Sequence, residues 1–341
     1  MPRARSERIR QFVLEQAERD PAGLCRQVQE HFGITRQSAH AHLQALEAEG
    51  LLEAAGRTRA RRYGARPSQQ RRFNLPLAMQ PDPEQVWSEL LAPRLGPLPE
   101  PCLATLRYTV LALIANAAQH SGGQALLLSV ARRSAQLELL LRDDGRGLFR
   151  KLAEDLGMDD PDQAPLELAK GGAGTSLLLA ARAAGAFALT ANGLRLERRP
   201  AREGWALSEA PARPGTSLEL ALPLLAGRAL EAVRAEHRAP GGGDFSRTRV
   251  PVELLPGATA GIAGRAQAER LLAHLERYRE IWLDFRGVPA LDPEAARSLF
   301  VEWPAAHAGC RVRWLKASAA VSAAIAGISG GAAQPRVGQG A

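Results

Sequence analysis

LLLSVARRSAQLELLLRDDGRGL, residues 126–148, decides how the middle of this chain folds. Two apolar runs flank Arg133-Ser134, so the stretch reads as two strands joined by a turn. It stops abruptly in DDGRG. Asp143 offers a carboxylate at the end of a strand, and Gly145 and Gly147 let the backbone bend and come close to a ligand. An Asp-Gly pair is also ordinary hairpin punctuation, so these residues alone leave the chemistry open.

Just upstream, residues 112–121 read ALIANAAQHS. On a helix Asn116 and His120 lie on one face a turn apart, while Leu111, Ile114 and Ala118 face elsewhere. Two readings compete: an interior amide satisfied by backbone, or a ligand for a nucleotide-bound metal. Downstream, KGGAGTSLLLAARAAG (170–185) runs a glycine-rich loop straight into a helix, whose first N–H groups can receive an anion. PGTSLELALPL (214–224) then supplies a strand with Gly215-Thr216 at its start.

An Asn on a helix, DxGxG after a strand, a glycine-rich loop before a helix and a late Gly-Thr before a strand follow one another in a fixed order. Together they resemble the gyrase, chaperone, histidine kinase and mismatch-repair (GHKL) ATPase superfamily over residues 101–223. The resemblance implies an α/β sandwich that binds ATP and Mg2+. Asn116 would hold Mg2+ between the phosphates, and Asp143 would accept a hydrogen bond from the adenine amino group. Gly145 and Gly147 would line the base, Gly172 and Gly174 would give backbone donors to phosphate, and Thr216 would support the adenine end. Residues 148–170 would be a mobile lid. The sequence departs from the family at position 112, one turn before Asn116, where catalytic members carry a carboxylate. Ala112 cannot deprotonate water or a hydroxyl, so hydrolysis is expected to be weak or lost. His120 is the alternative base, although a histidine near a helix C-terminus also matches the helix dipole. The seven histidines (31, 40, 42, 120, 237, 274, 307) offer no phosphoacceptor setting ahead of this unit, so autophosphorylation on histidine is not expected.

The N-terminal residues carry a different signal. A helical pattern over 4–18, with Ile9, Phe12, Val13 and Ala17 on one side, stops at Asp20-Pro21; a second helix, 22–31, ends before Gly33. Thr35 is placed to cap a third helix with Ala39, Leu43 and Leu46 inward and Gly50 as its left-handed stop. LLEAAGRTRARRYGA then reads as two short strands around an arginine-rich tip. Residues 5–64 resemble the winged helix-turn-helix regulators of bacterial transcription. That resemblance nominates Arg36, Gln37 and His40 for base edges, and Arg57, Arg59, Arg61 and Arg62 for phosphates or a minor groove of double-stranded DNA. Residues 1–72 hold 14 arginines against 8 acidic residues, an electrostatic footprint of the kind nucleic acid requires.

Residues 262–328 alternate helix and strand in a parallel-sheet rhythm: a helix IAGRAQAERLLAHLERYREI, the strand IWLDF, the helix LDPEAARSLFVEWPAAHA and the strand CRVRWL. EIWLDFRGVPALDPEAARSLF resembles the STAS fold of anti-anti-sigma factors. The three segments in order resemble bacterial regulators that combine a winged helix, a GHKL module and a C-terminal STAS-like domain of unknown function. In phosphorylatable STAS proteins a Ser follows the Asp at the start of the second helix; here the run is Leu291-Asp292-Pro293-Glu294, with Ser298 a turn later.

The remaining composition sets the frame. At 341 residues the chain exceeds the size of one core. The expected domains are a winged helix at 1–65, a proline-rich linker with one short helix at 66–100, a GHKL domain at 101–225, a STAS-like domain at 244–328 and a disordered tail at 329–341. The linker is marked by prolines 67, 76, 81, 83, 93, 97, 99 and 101. The net charge is +8, from 44 basic and 36 acidic residues. Cys25, Cys102 and Cys310 are scattered and odd in number, which fits a reducing compartment rather than a disulfide framework. With no charged-then-apolar leader, and with low-charge windows such as 177–191 and 317–328 short or broken by Arg182, the expectation is a cytoplasmic protein with no membrane span. The leading reading is an ATP-binding, DNA-binding transcription regulator, with the STAS-like domain as a platform for a protein partner; regulators of this kind commonly form homodimers. The alternatives are an anti-sigma-type Ser/Thr protein kinase and a degenerate scaffold that binds no nucleotide.

Overall fold

The computed structural model describes residues 2–55, 62–65, 69–133, 135–172, 175–199, 204–225 and 227–328. The protein is mixed α/β and divides into two compact units, the first comprising Met1–Gly145, Ala183–Phe187 and Gly215–Leu230, the second the remainder. Strands and helices are numbered along the chain.

The first unit begins with three helices, α1 (Pro2–Arg19), α2 (Leu24–Phe32) and α3 (Arg36–Ala48), then the antiparallel hairpin β1 (Leu52–Ala55) and β2 (Arg62–Ala65). Local signals set the limits. Gly33 takes φ 60° and ends α2, and the Thr35 hydroxyl accepts the Ser38 N–H (3.2 Å) to open α3. Gly50 takes φ 70° while the Leu51 N–H donates back to the Leu46 carbonyl (2.8 Å), closing α3 in the glycine-dependent manner. Ile9, Val13, Leu24, Val28, Ala39, Leu43 and Leu46 form the core under these elements.

The stretch that reads as a linker is structured. β3 (Gln69–Pro76) pairs along its whole length with β4 (Ala125–Arg132), and a helix α4 (83–95), containing a π turn at Val86–Leu91, follows. β4 pairs with β5 (Gln136–Asp143), and β5 with β9 (Thr216–Pro223), all antiparallel. Period-two alternation sends one face inward and stacks leucines across the strands: Leu128, Leu141 and Leu218 share one layer, and Val130, Leu139 and Leu220 the next. A one-residue slip would send every one of these side chains outward, so the pattern fixes the register. Helix α5 (Glu100–His120) contacts β5 and β9, burying Leu106, Val110, Ile114 and Ala117. The order in this unit is β3-β4-β5-β9, with the start of β6 (Ala186–Ala191) next.

Helix α5 bears on the expectation that no segment spans a membrane. It is long and apolar enough, by length and composition, to cross a membrane, with mean hydropathy 1.3 and 39% of the window buried. Its buried face is occupied by the sheet, as in a core helix.

In the second unit β6 continues to Ala191 and is followed in the sheet by β7 (Leu194–Arg199) and β8 (Gly204–Glu209), an antiparallel pair. Helices α6 (Leu148–Leu156), α7 (Ala164–Lys170), α8 (Thr175–Ala183) and α9 (Leu230–Glu236) belong to the stretches between strands. The C-terminal part is a parallel sheet in the order β10 (Arg247–Pro251), β11 (Glu280–Asp284), β12 (Arg311–Leu315). Parallel neighbours need crossovers, and α10 (Gly264–Leu272) and α11 (293–306) supply them, with α12 (Ala319–Ile328) against α11. Val250, Ile281, Leu283 and Val312 bury one face of the sheet; the other carries the row Arg249, Trp282, Arg313. Asp292 caps α11 by accepting the Glu294 N–H (2.8 Å), with Pro293 in the first turn.

Candidate functional site

In the first unit the strand-end carboxylate is the centre of a tight arrangement. Asp143 is 9% exposed, and its Oδ1 accepts the N–H of Gly145 (2.9 Å) and of Thr216 (3.2 Å). Burial pushes its carboxyl above the ordinary value, the two backbone donors pull it back down, and neighbouring Asp144 adds to the rise. Glycines permit the approach. Gly215 takes φ 79°, and a Cβ there would collide with the Asp143 carbonyl; a Cβ at Gly145 would collide with the carbonyl of Ser121. Thus DDG, the end of α5 and PGT meet backbone to backbone.

Sequence reasoning missed two members of this arrangement. Asp144 Oδ1 accepts the N–H groups of Gln124 (2.7 Å) and Ala125 (3.0 Å), which hold its carboxyl below the usual range, and a side chain at Gly123 would run into Asp144. The signal available was the Gly122-Gly123 pair after α5, which reads as a helix stop and gives no hint of its partner.

Along α5, Thr109 donates to the Thr105 carbonyl (2.7 Å) and Thr105 to that of Pro101 (2.8 Å), both side chains being buried. The same row continues through Ala112 to Asn116 and His120, emerging into solvent as it goes. Asn116 is exposed, so the reading of an interior amide fixed by backbone does not hold. Ala112, part-buried, presents only a methyl group. His120 is exposed in the last turn of the helix.

The remaining candidates of this motif set belong to the second unit. Gly147 takes φ 87° at the start of α6, and a Cβ there would meet the side chain of Asn192. Asn192, itself at φ 51° in the Asn192-Gly193 turn, accepts the Arg150 N–H (3.1 Å) and donates to the Arg146 carbonyl (2.9 Å). It closes the first turn of α6 and uses the space Gly147 leaves open. Gly145 and Gly147, read together as base-lining glycines, therefore answer to different neighbours. Gly172 is described; Gly174 lies outside the described residues.

The implied lid needs correction in its second half. All seven residues of α7 are buried, Lys170 among them at 2% exposure. Lys170 Nζ donates to Glu167 (2.6 Å) and to the carbonyls of Arg270 (3.0 Å) and Ala273 (3.1 Å), which stand at the C-terminal end of α10. Its own carbonyl accepts the hydroxyls of Thr248 (2.7 Å) and Tyr278 (3.0 Å). Burial lowers the Lys170 amine from its ordinary value, against which Glu167 works. His274 Nδ1 lies 3.2 Å from Glu167. A surface lid would not be sealed this way.

In the N-terminal part, Arg36 and Gln37 are exposed in the first turn of α3. His40 is part-buried, its Nδ1 3.4 Å from the Tyr63 hydroxyl and its ring edge-on to that of Tyr63. Arg57, Arg59 and Arg61 lie outside the described residues, and Arg62 is described only as backbone of β2, opposite Ala55. Ser298, the first hydroxyl after Asp292, is 4% exposed.

The sequence matches no protein-family model, and no curated protein is similar to it.

Proposed function

We propose that this chain is an ATP-binding, DNA-binding transcription regulator of the cytoplasm, in which Mg-ATP at a GHKL-type domain biases a winged helix while a STAS-like C-terminal domain serves as an interaction platform. The observation that carries the nucleotide reading is Asp143, a buried strand-end carboxylate accepting N–H groups from Gly145 and Thr216. The Thr216 hydroxyl also hydrogen-bonds to it, so about one of a carboxylate's roughly four lone-pair directions is left, and a purine amino group suits it. Exposed Asn116 on α5 suits a metal held through phosphate oxygens. Ala112 removes the usual base, so the domain is suited to holding ATP and poorly suited to consuming it. A kinase and its substrate within one chain find no support, with methyl at position 112 and Ser298 buried.

For DNA, the support is a capped α3 with Arg36 and Gln37 exposed at its start, in the most arginine-rich part of the chain. Coupling requires that ATP favour one conformation over another. The test is duplex binding by the full chain at several salt concentrations, with and without Mg-ATP. Affinity is expected to fall steeply with salt and to change with nucleotide. A flat salt response removes DNA from the proposal, and identical affinities with and without Mg-ATP remove the coupling.

A further inference from the structure

The C-terminal sheet ends in an open edge. Among the described residues β12 pairs with β11 alone, in the order β10-β11-β12. Arg311 donates its N–H to the Arg279 carbonyl (2.8 Å), and the Leu315 carbonyl accepts the Phe285 N–H (3.0 Å). Alternate residues of a strand turn their backbone groups to opposite sides, so Arg311, Arg313 and Leu315 face β11 while Val312 and Trp314 turn theirs outward. No described group takes them. Such a row is a template for one more strand.

Charge alternates across this sheet, and the alternation sets which strand would fit. On the face that carries Trp282, β10 contributes Arg247 and Arg249, β11 contributes Glu280 and Asp284, and β12 contributes Arg311 and Arg313. Glu280 gives one oxygen to Arg247 and the other to Arg313 (2.9 Å), and Asp284 takes Arg249 (2.6 Å). Arg311 stands opposite Glu280 in the register, is exposed, and finds both oxygens of that carboxylate taken. The face is short of acceptors in a second respect. The Trp282 ring lies between the guanidinium groups of Arg247 (5.9 Å from the ring centre) and Arg313 (5.6 Å), and its N–H has no hydrogen-bond partner. A second β12 laid along the edge would set arginines against arginines, which is unfavourable. A strand bearing carboxylates would continue the pattern that β11 begins.

We propose that the β12 edge receives an extended acidic segment of a separate protein. The segment adds a fourth strand through the outward backbone groups of Val312 and Trp314 and sets alternate carboxylates against Arg311 and Arg313. The inference rests on the reading of the C-terminal domain as an interaction platform and names its surface; it needs neither nucleotide nor DNA.

The test measures binding of the full chain to eight-residue peptides that alternate threonine with glutamate, with lysine or with serine, and to an oligothymidine. The glutamate peptide is expected to bind best, and Arg311→Glu to weaken it about tenfold, the scale of a charge-assisted contact turned to repulsion, with the melting temperature unchanged. Backbone pairing is read separately with two N-methylated forms of that peptide, one methylated at the glutamates and one at the threonines. In an added strand only alternate residues turn their N–H toward β12, so one form is expected to lose binding and the other to keep it. Equal effects of the two methylations, or a glutamate peptide indifferent to Arg311→Glu, would overturn the added strand while leaving the platform reading in place. So would tighter binding of the oligothymidine, or self-association of the chain that Arg311→Glu abolishes, since each assigns the edge to another occupant. Failure of every peptide to bind overturns the added strand and removes the platform reading with it.

Discussion

Asp143 in the first unit and Lys170 in the second are both ionisable groups buried at the end of an element beside glycines, yet they are satisfied differently. Lys170 has three donors and three acceptors within reach, Glu167 and two helix-end carbonyls, so its hydrogen-bonding capacity is exhausted. The Asp143 carboxylate takes two N–H groups and the Thr216 hydroxyl, three donors where a carboxylate accepts about four. A saturated buried charge is a structural lock. One with capacity to spare is suited to a ligand, and the difference separates the two without reference to sequence motifs.

Breaking the lock is expected to have the largest effect. Lys170→Met leaves Glu167 without its ammonium and strips the end of α10 of two bonds, a loss of about 3–5 kcal/mol on the scale of broken buried pairs. Denaturant unfolding measures it; a loss below about 1 kcal/mol would mean that the Lys170 network is not a lock.

Glycine replacements sharpen the contrast next. Gly215→Ala forces a side chain at φ 79° into the Asp143 carbonyl, a rigid neighbour, and is expected to cost about 1–3 kcal/mol. Gly172→Ala meets only the end of the Arg277 side chain, which can swing aside, and is expected to cost well under half as much. Equal costs by thermal melting would contradict the view that the Asp143 arrangement is the rigid one.

The smallest expected effect is on pH dependence. Burial raises the Asp143 carboxyl above its unfolded value, so its charge opposes folding at neutral pH, and that opposition is relieved as the pH falls through the raised value. The same protonation removes the charge that would receive the adenine amino group. Nucleotide affinity is therefore expected to decline on acidification starting above the ordinary carboxylate value of 3.8, while Asp144, held low by the Gln124 and Ala125 N–H groups, stays ionised. Calorimetric titrations across pH 4 to 7 read this directly; a profile flat until about pH 4, the ordinary carboxylate range, would contradict it.

What the sequence made legible is what local chemistry decides. Thr35 caps α3 and Gly50 ends it because both act within a few residues. The strands at 125–132 and 136–143 follow from their apolar runs. β3 escaped detection because QQRRFNLP has little apolar content and ends in proline; its eight-residue pairing with β4, far along the chain, makes it a strand. The helix read over 262–281 ends instead at Leu272, where His274 turns to φ 62° and Lys170, about a hundred positions earlier, takes the last carbonyls. At the site, Asp143 and Thr216 were legible as motif members and do meet. Asp144, Gly123 and Asn192 were not, since each is defined by a neighbour that no local pattern announces.

The central claim is that Asp143 keeps its spare capacity for the base of a nucleotide. The direct measurement is calorimetric titration of Mg-ATP into the full chain and into Asp143→Asn, both confirmed to melt cooperatively. The account expects saturable one-site binding by the wild type and none by the variant, whose amide turns a donor toward the adenine amino group or toward the Gly145 and Thr216 N–H groups. Wild-type chain that takes up no Mg-ATP, or an Asp143→Asn variant that binds it as tightly, would contradict the claim.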